Sequence, residues 1–217
     1  MSSMSDFLEQ ELVDHFASDS QLALENTFIA LFTDILNDAG TGTEVTGGAY
    51  ARIIVNQDGA TGTFWADNGS SMDNTGDITF PQATANWGRV KSVGVFDAIT
   101  AGNLLFRGVL GSAPKVFVGT AVDDRINSPA HGRANDELVV FMVLEGGAGL
   151  PTGIVEGTEY FIINTTTDDF QISTSQGGGA VNLTADGNGI LFLSSQKQVD
   201  LNDTFKFASG DLDITFR

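Results

Sequence analysis

Thr27-Phe28-Ile29-Ala30-Leu31-Phe32-Thr33 decides the fold class of this chain. Successive strand residues point to opposite faces. Here the Phe28, Ala30, Phe32 set and the Ile29, Leu31 set are both apolar, so the segment reads as a central strand buried on two sides. Working outward, Tyr50 to Val55 reads as a second strand, entered from Gly47-Gly48, with Val90 to Phe96 a third and Leu104 to Leu110 a fourth. Near the end, Thr204-Phe205-Lys206-Phe207 and Leu212 to Phe216 flank Ala208-Ser209-Gly210-Asp211, turn chemistry that predicts a hairpin. Upstream of the deciding strand, Asp6 and Glu9 form a capping-box-like start, and the spacing predicts a helix over about residues 6–17. Leu8, Leu12, Val13 and Phe16 fall on one face of it. That face either seats the helix on its own domain, the commoner use, or makes an arm that docks on a neighbouring subunit. These four are the candidate partner-contact residues.

Between about Val116 and Lys197 the texture changes. Val116-Phe117-Val118, Leu138 to Leu144, Tyr160 to Ile163, Phe170-Gln171-Ile172 and Ile190 to Leu193 are strand candidates, separated by loops such as Gly146 to Gly149 and Gly177-Gly178-Gly179. Excising that stretch brings the strand ending at Leu110 to the one at Thr204 through an ordinary loop. The expected class is therefore mainly β: an antiparallel β-sandwich with one short N-terminal helix and an inserted small β-barrel-like domain. Residues 1–115 make the outer β-sandwich domain with its helical arm, 116–197 the inserted β module, and 198–217 a C-terminal hairpin completing the outer domain. Helices do not alternate with strands, which argues against a doubly wound sheet.

Composition narrows the function. With no Cys, disulfides and zinc–thiolate sites are excluded. With 10 Lys+Arg against 28 Asp+Glu, the net charge of −18 repels phosphates, so nucleic acid is not an expected partner. No apolar run reaches the roughly eighteen residues of a membrane helix, so no membrane partner is expected either. Met1-Ser2-Ser3-Met4 lacks the basic start of a signal peptide.

Reactive groups are sparse. His15 lies in the predicted helix; His131 sits in Ser128-Pro129-Ala130-His131-Gly132, read as a loop or surface histidine with an ordinary hydrogen bond. Ser128, His131 and Asp136 can be written as a triad, but no Gly-x-Ser-x-Gly elbow accompanies them. Asp123-Asp124 and Asp168-Asp169 are neighbours in turn-like contexts rather than an acid/base pair. Asp67-Asn68-Gly69 and Asp73 to Asp77 carry oxygen ligands suited to calcium, yet lack a full EF-hand loop and read better as Asx turns. No phosphate-binding glycine motif occurs. Trp65 and Trp87 suit packing better than sugar stacking. No catalytic residue, cofactor or metal is expected.

Several segments resemble small structural proteins of tailed bacteriophages. Thr41 to Arg52 does so, as do Phe80 to Gly88, Val93 to Asp97, Gly102-Asn103-Leu104-Leu105 and Asp203 to Leu212. Ile126 to Gly132, Leu150-Pro151, Gly157 to Asn164 and Asp169 to Ser173 resemble a second phage-associated module found inside tail, fibre and decoration proteins. The resemblance implies a virion structural protein without a reaction of its own. Its first expectation is a capsid decoration or cement protein binding the major capsid protein through the outer domain and arm. The alternative is a tail-fibre or baseplate protein binding a tail protein and facing the host surface; a glycan-degrading enzyme ranks last. A homo-oligomer is expected, with a trimer favoured because it would match threefold positions of an icosahedral shell.

Overall fold

The structure, a computed structural model, describes residues 3–18, 26–56, 65–67, 69, 71–111, 114–144, 146–194 and 197–215. In chain order its elements are β1 (Ser3–Met4), α1 (Asp6–Ser18), β2 (Thr27–Phe32), β3 (Ile53–Asn56), β4 (Trp65–Asp67), β5 (Ser71–Asn74), β6 (Ile78–Thr79), β7 (Gly88–Val90), β8 (Ser92–Phe96) and β9 (Leu104–Val109). Then come β10 (Lys115–Thr120), β11 (Arg125–Asn127), β12 (Leu138–Met142), β13 (Glu159–Ile163), β14 (Asp169–Ser173) and β15 (Gly187–Leu193), followed by β16 (Lys197–Val199), β17 (Lys206–Phe207) and β18 (Asp213–Thr215). The chain is mainly β and divides into two compact units, Met1–Leu110 with Gln196–Arg217, and Gly111–Ser195.

In the first unit β2 lies inside a five-stranded antiparallel sheet of order β1-β9-β8-β2-β3, and all six of its residues are buried. Each apolar set of the deciding segment finds its own core. Ile29 and Leu31 join Val93, Val95 and Leu105, while Ala30 and Phe32 join Leu36, Phe96 and Leu104 on the opposite face. The first cluster also takes Ile78, Val90, Val199, Phe205, Phe207 and Ile214. All but Phe205, which precedes β17, come from three short antiparallel ribbons, β16-β7, β17-β6 and β18-β5-β4, which form the second layer of the sandwich.

Three local expectations are corrected. The hairpin predicted from Thr204 to Phe216 does not form: β17 pairs with β6, and β18 pairs with β5. Buried Asn74 explains the divergence. Its Nδ2 donates to the carbonyls of Gly76 (2.7 Å) and Ala208 (2.8 Å), and its Oδ1 accepts the Leu212 N–H (2.9 Å). Ala208 to Asp211 still turns, but its two flanks are bonded to Asn74 and their strands pair elsewhere; Phe216 lies outside the described residues. The strand expected from Val90 to Phe96 is two strands joined at Lys91, whose N–H donates to Phe32 O (2.8 Å) and whose carbonyl accepts Leu110 N–H (2.9 Å). The strand expected from Tyr50 begins at Ile53 instead, because the Tyr50 and Arg52 side chains have other work, described below.

The second unit is a closed antiparallel barrel of order β10-β11-β14-β13-β12-β15. Strands β12, β13 and β14 form a meander and β15 returns beside β12, which is Greek-key order. The β10–β11 hairpin fills the remaining gap and leaves no edge. Burial alternates along β13 and through most of β15, as a filled barrel requires. Phe117, Ile126, Phe141, Tyr160, Ile162, Phe170, Ile172 and Leu191 make the interior, with Leu150 packed against it. Strand β11 escaped the sequence reading because it is three residues long and holds one apolar residue, Ile126.

Candidate functional site

The arm is set by Ser5, which the sequence reading passed over in favour of Asp6. Ser5 N–H donates to Leu105 O (3.0 Å), its hydroxyl donates to Leu104 O, and its Oγ accepts Leu8 N–H (3.2 Å). It is the N-cap of α1 and fixes the helix start to β9. Asp6 and Glu9 sit in the first turn, at the favourable end of the helix dipole. The four candidate contact residues then part company. Leu8 is buried and Leu12 packs against the same core, in company with Met4 and Phe7. Val13 is 59% exposed and Phe16, one turn beyond Leu12, is 85% exposed. The helix is therefore seated by its first two turns, and the second half of its apolar face is turned to solvent.

Inside the first unit, a polar cluster joins residues of the segment Thr41 to Arg52. β3 pairs with β2 only as far as Ile29. Beyond that point the Tyr50 hydroxyl accepts the Leu31 N–H (2.9 Å) and donates to Glu44 Oε1 (3.0 Å). Arg52 grips Glu44 with two bonds, Nε to Oε1 (2.9 Å) and Nη2 to Oε2 (2.7 Å). Its Nη1 donates to the carbonyls of Ala98 (2.8 Å) and Ala101 (2.7 Å), and its guanidinium lies 4.0 Å from the Phe96 ring centre. Burial, and then the nearby Glu44 carboxylate, push the Tyr50 hydroxyl well above its ordinary value, while the Leu31 N–H and Arg52 oppose. The Tyr50 ring stacks on Phe80 and meets Trp87 edge-on. Trp87 Nε1 donates to Gly48 O (2.9 Å); Gly48 has φ 54°, and a Cβ there would meet that indole nitrogen at 2.9 Å. Trp87 is thus a core residue, and Trp65 is half-buried with its Nε1 3.4 Å from Thr27 Oγ1.

Among the described residues, those considered for catalysis make no hydrogen bond to one another. Ser128 Oγ donates to Val116 O (2.9 Å), and His131 Nδ1 accepts Arg133 N–H (3.0 Å). Asp136 is exposed and uses its backbone N–H on Ile162 O (2.8 Å). No triad is assembled. His131 is nevertheless buried, not a surface residue: its ring meets Phe170 edge-on at 5.1 Å and its Nε2 has no hydrogen-bond partner. The adjacent acidic residues each serve a different segment, and only Asp123 closes a local turn. Asp123 Oδ1 accepts Thr120 Oγ1 (2.5 Å), Asp124 Oδ1 accepts Leu183 N–H (2.7 Å), Asp168 Oδ1 accepts Ala130 N–H (2.9 Å), and Asp169 pairs with Arg125 (2.7 Å). The Asp73 to Asp77 stretch is likewise engaged. Asp77 bonds Lys206 Nζ (2.9 Å) and Ser209 N–H (3.2 Å), and these two hold its carboxyl below the usual range. Asn68 lies outside the described residues. Among the described residues no three His, Asp or Glu side chains gather as a metal site. A cleft of about 340 Å³ lies between Ser5–Phe7, Asp38–Gly40, Phe96 and Gly102–Leu104.

Trp87 and most of the described Phe rings pack in the two cores, and one apolar flank of α1 faces solvent. A protein-family model described as podophage GP4 fiber I protein gp80 matches residues 3–128. The chain belongs to this family of tailed-phage structural proteins of fibre type, and its place is the virion. No curated protein matches the sequence.

Proposed function

We propose that the chain is a tail-fibre or baseplate-type component of the phage particle, joined to a tail protein through its first unit and acting without a reaction of its own. The family match supports this most directly. Its description is that of a fibre protein, and its matched residues run through the N-terminal segment of the first unit and into the barrel as far as Ser128. The matched segment holds α1, the Tyr50–Glu44–Arg52 cluster and the β10–β11 hairpin. Affinity per copy is modest in such assemblies and is multiplied by repetition. The copies associate as a closed symmetric homo-oligomer, for which a trimer is the favoured stoichiometry.

Localisation on intact virions decides between this reading and the capsid-decoration reading. Gold-labelled antibody, or averaged electron-microscopy images of particles with and without the protein, should place it on the tail. A regular array over the head would replace the tail reading with a cement protein bound to the major capsid protein. Light scattering coupled to size exclusion should give three chains per particle of purified protein; a monomer at all concentrations removes the trimer.

A further inference from the structure

We propose that residues 128–137, which connect β11 to β12, form an acid-released clasp on the barrel, with His131 as its pin. His131 is buried, and its ring meets Phe170 edge-on at 5.1 Å. Nδ1 accepts the Arg133 N–H (3.0 Å), so the neutral imidazole carries its one proton on Nε2. A second proton can go only on Nδ1. It turns that acceptor into a donor facing the Arg133 N–H, and it sets a buried charge against the Phe170 ring. Acid thus removes the bond by which the ring holds the backbone, and release of the clasp bares the Phe170 side of the barrel interior.

The backbone around the pin is strained. Ala130 (φ 49°) and Gly132 (φ 65°) lie in the left-handed region on either side of His131, and Asp136 (φ 70°) follows. Two of these three residues carry a Cβ, which makes that region costly. Backbone ties hold the connection to the barrel: Ser128 N–H donates to Asp168 O (2.8 Å) and Asp136 N–H to Ile162 O (2.8 Å). Charged groups approach from three elements. Arg133, exposed Asp136 and Glu137 belong to the connection itself. Lys115 of β10 donates through Nζ to Ala130 O, and Asp168, just before β14, accepts the Ala130 N–H on Oδ1 (2.9 Å). Nε2 has no hydrogen-bond partner and Nδ1 is taken by a backbone N–H, so among the described residues no carboxylate is bonded to the ring to stabilise a second proton.

The test is amide hydrogen exchange on the full chain, read residue by residue by NMR at about pH 7.5 and about pH 5, the range in which imidazoles change charge. The protection factor of the Arg133 amide should fall at least about tenfold in acid, and that of Asp136 with it, while Leu191 in β15 keeps its own. The nitrogen shifts of the His131 imidazole should change over the same interval. His131→Asn leaves an oxygen for the Arg133 N–H and nothing to titrate, so its Arg133 amide should stay protected. His15→Asn, at the exposed histidine of α1, should respond as the wild type does. The Ala130 amide follows its Asp168 acceptor and is left out of the comparison. Equal Arg133 protection at both pH values overturns the proposal. So does the same loss in His131→Asn, or a loss with no change in the imidazole shifts. The shift comparison needs only the wild type, so the proposal stays testable if the variant fails to fold.

Discussion

Tyr50 stands where a strand should have been. Its hydroxyl takes the Leu31 N–H that β3 leaves behind, so one side chain completes a backbone ladder and is itself completed by Glu44 and Arg52. Removing the hydroxyl leaves a buried N–H without an acceptor, and Tyr50→Phe should cost about 1–2 kcal/mol at pH 7 in urea unfolding. The pH dependence has a definite sign. Burial raises the folded-state value of Tyr50 above the ordinary 10.0, so its contribution is whole below pH 10.0 and is lost as the pH climbs toward the folded value. Wild type should therefore lose stability above pH 10.0, and Tyr50→Phe should lose less over the same window. Arg52 is the larger case. It is buried, holds Glu44 with two bonds and holds the Ala98 and Ala101 carbonyls with two more. Arg52→Ala should cost about 2–4 kcal/mol, because Glu44 loses its cation and two carbonyls lose their donor. Glu44→Gln keeps an acceptor for Tyr50 but removes the charge facing Arg52, and should cost less than Arg52→Ala; equal losses would mean that the ion pair, not the hydrogen bonds around it, carries the cluster.

At the scale of elements, what the sequence disclosed depended on period and length. β2, β8, β9 and the longer barrel strands carry enough apolar residues to announce themselves. The two-layer form with a barrel follows from them. Strands of two to four residues such as β4, β5, β6 and β11 have no period to read, and their pairing is set by partners distant in the chain. The false hairpin shows why local turn chemistry is not enough: Ala208 to Asp211 does turn, with Asp211 N–H on Ala208 O (3.0 Å), yet Asn74 captures both flanks. Asn74→Ala should cost about 2–4 kcal/mol, since one buried side chain serves two carbonyls and one N–H. In the barrel the equivalent device is a lack of side chain. A Cβ on Gly189 would meet Met142 O at 2.6 Å and Phe117 Cε1 at 2.8 Å. Gly189→Ala should destabilise the barrel by about 1–3 kcal/mol. Gly179→Ala, with nothing within 4 Å of its would-be Cβ, should stay within about 0.5 kcal/mol of wild type. Equal effects of the two substitutions in denaturant would show that barrel closure does not depend on that approach.

At the scale of the whole molecule, the sequence marked α1 but not the division of its face. Helical spacing puts Leu8, Leu12, Val13 and Phe16 together, whereas only the extent of the core beneath decides that the first two are inside and the last two outside. His131 shows the same gap between pattern and place, since nothing in Ser128 to Gly132 foretells that Phe170 lies against its ring. The barrel is closed on itself. Its interior cluster is drawn only from residues between Phe117 and Leu191, and closure leaves none of its strands unpaired. Gly111 and Ser194 face each other in an antiparallel bridge, so the module begins and ends at one point. Opposed residues of such a bridge lie about 4.5–5.5 Å apart, a gap that a short Gly/Ser linker spans easily. A polypeptide of residues 111–195 should therefore fold alone, with a dispersed amide spectrum and one cooperative thermal transition. The chain with that stretch replaced by a short Gly/Ser linker should keep the first unit's own transition, because the ends it must join are already neighbours. A random-coil spectrum for the excised barrel would mean that its stability is borrowed, and that the two compact units fold as one.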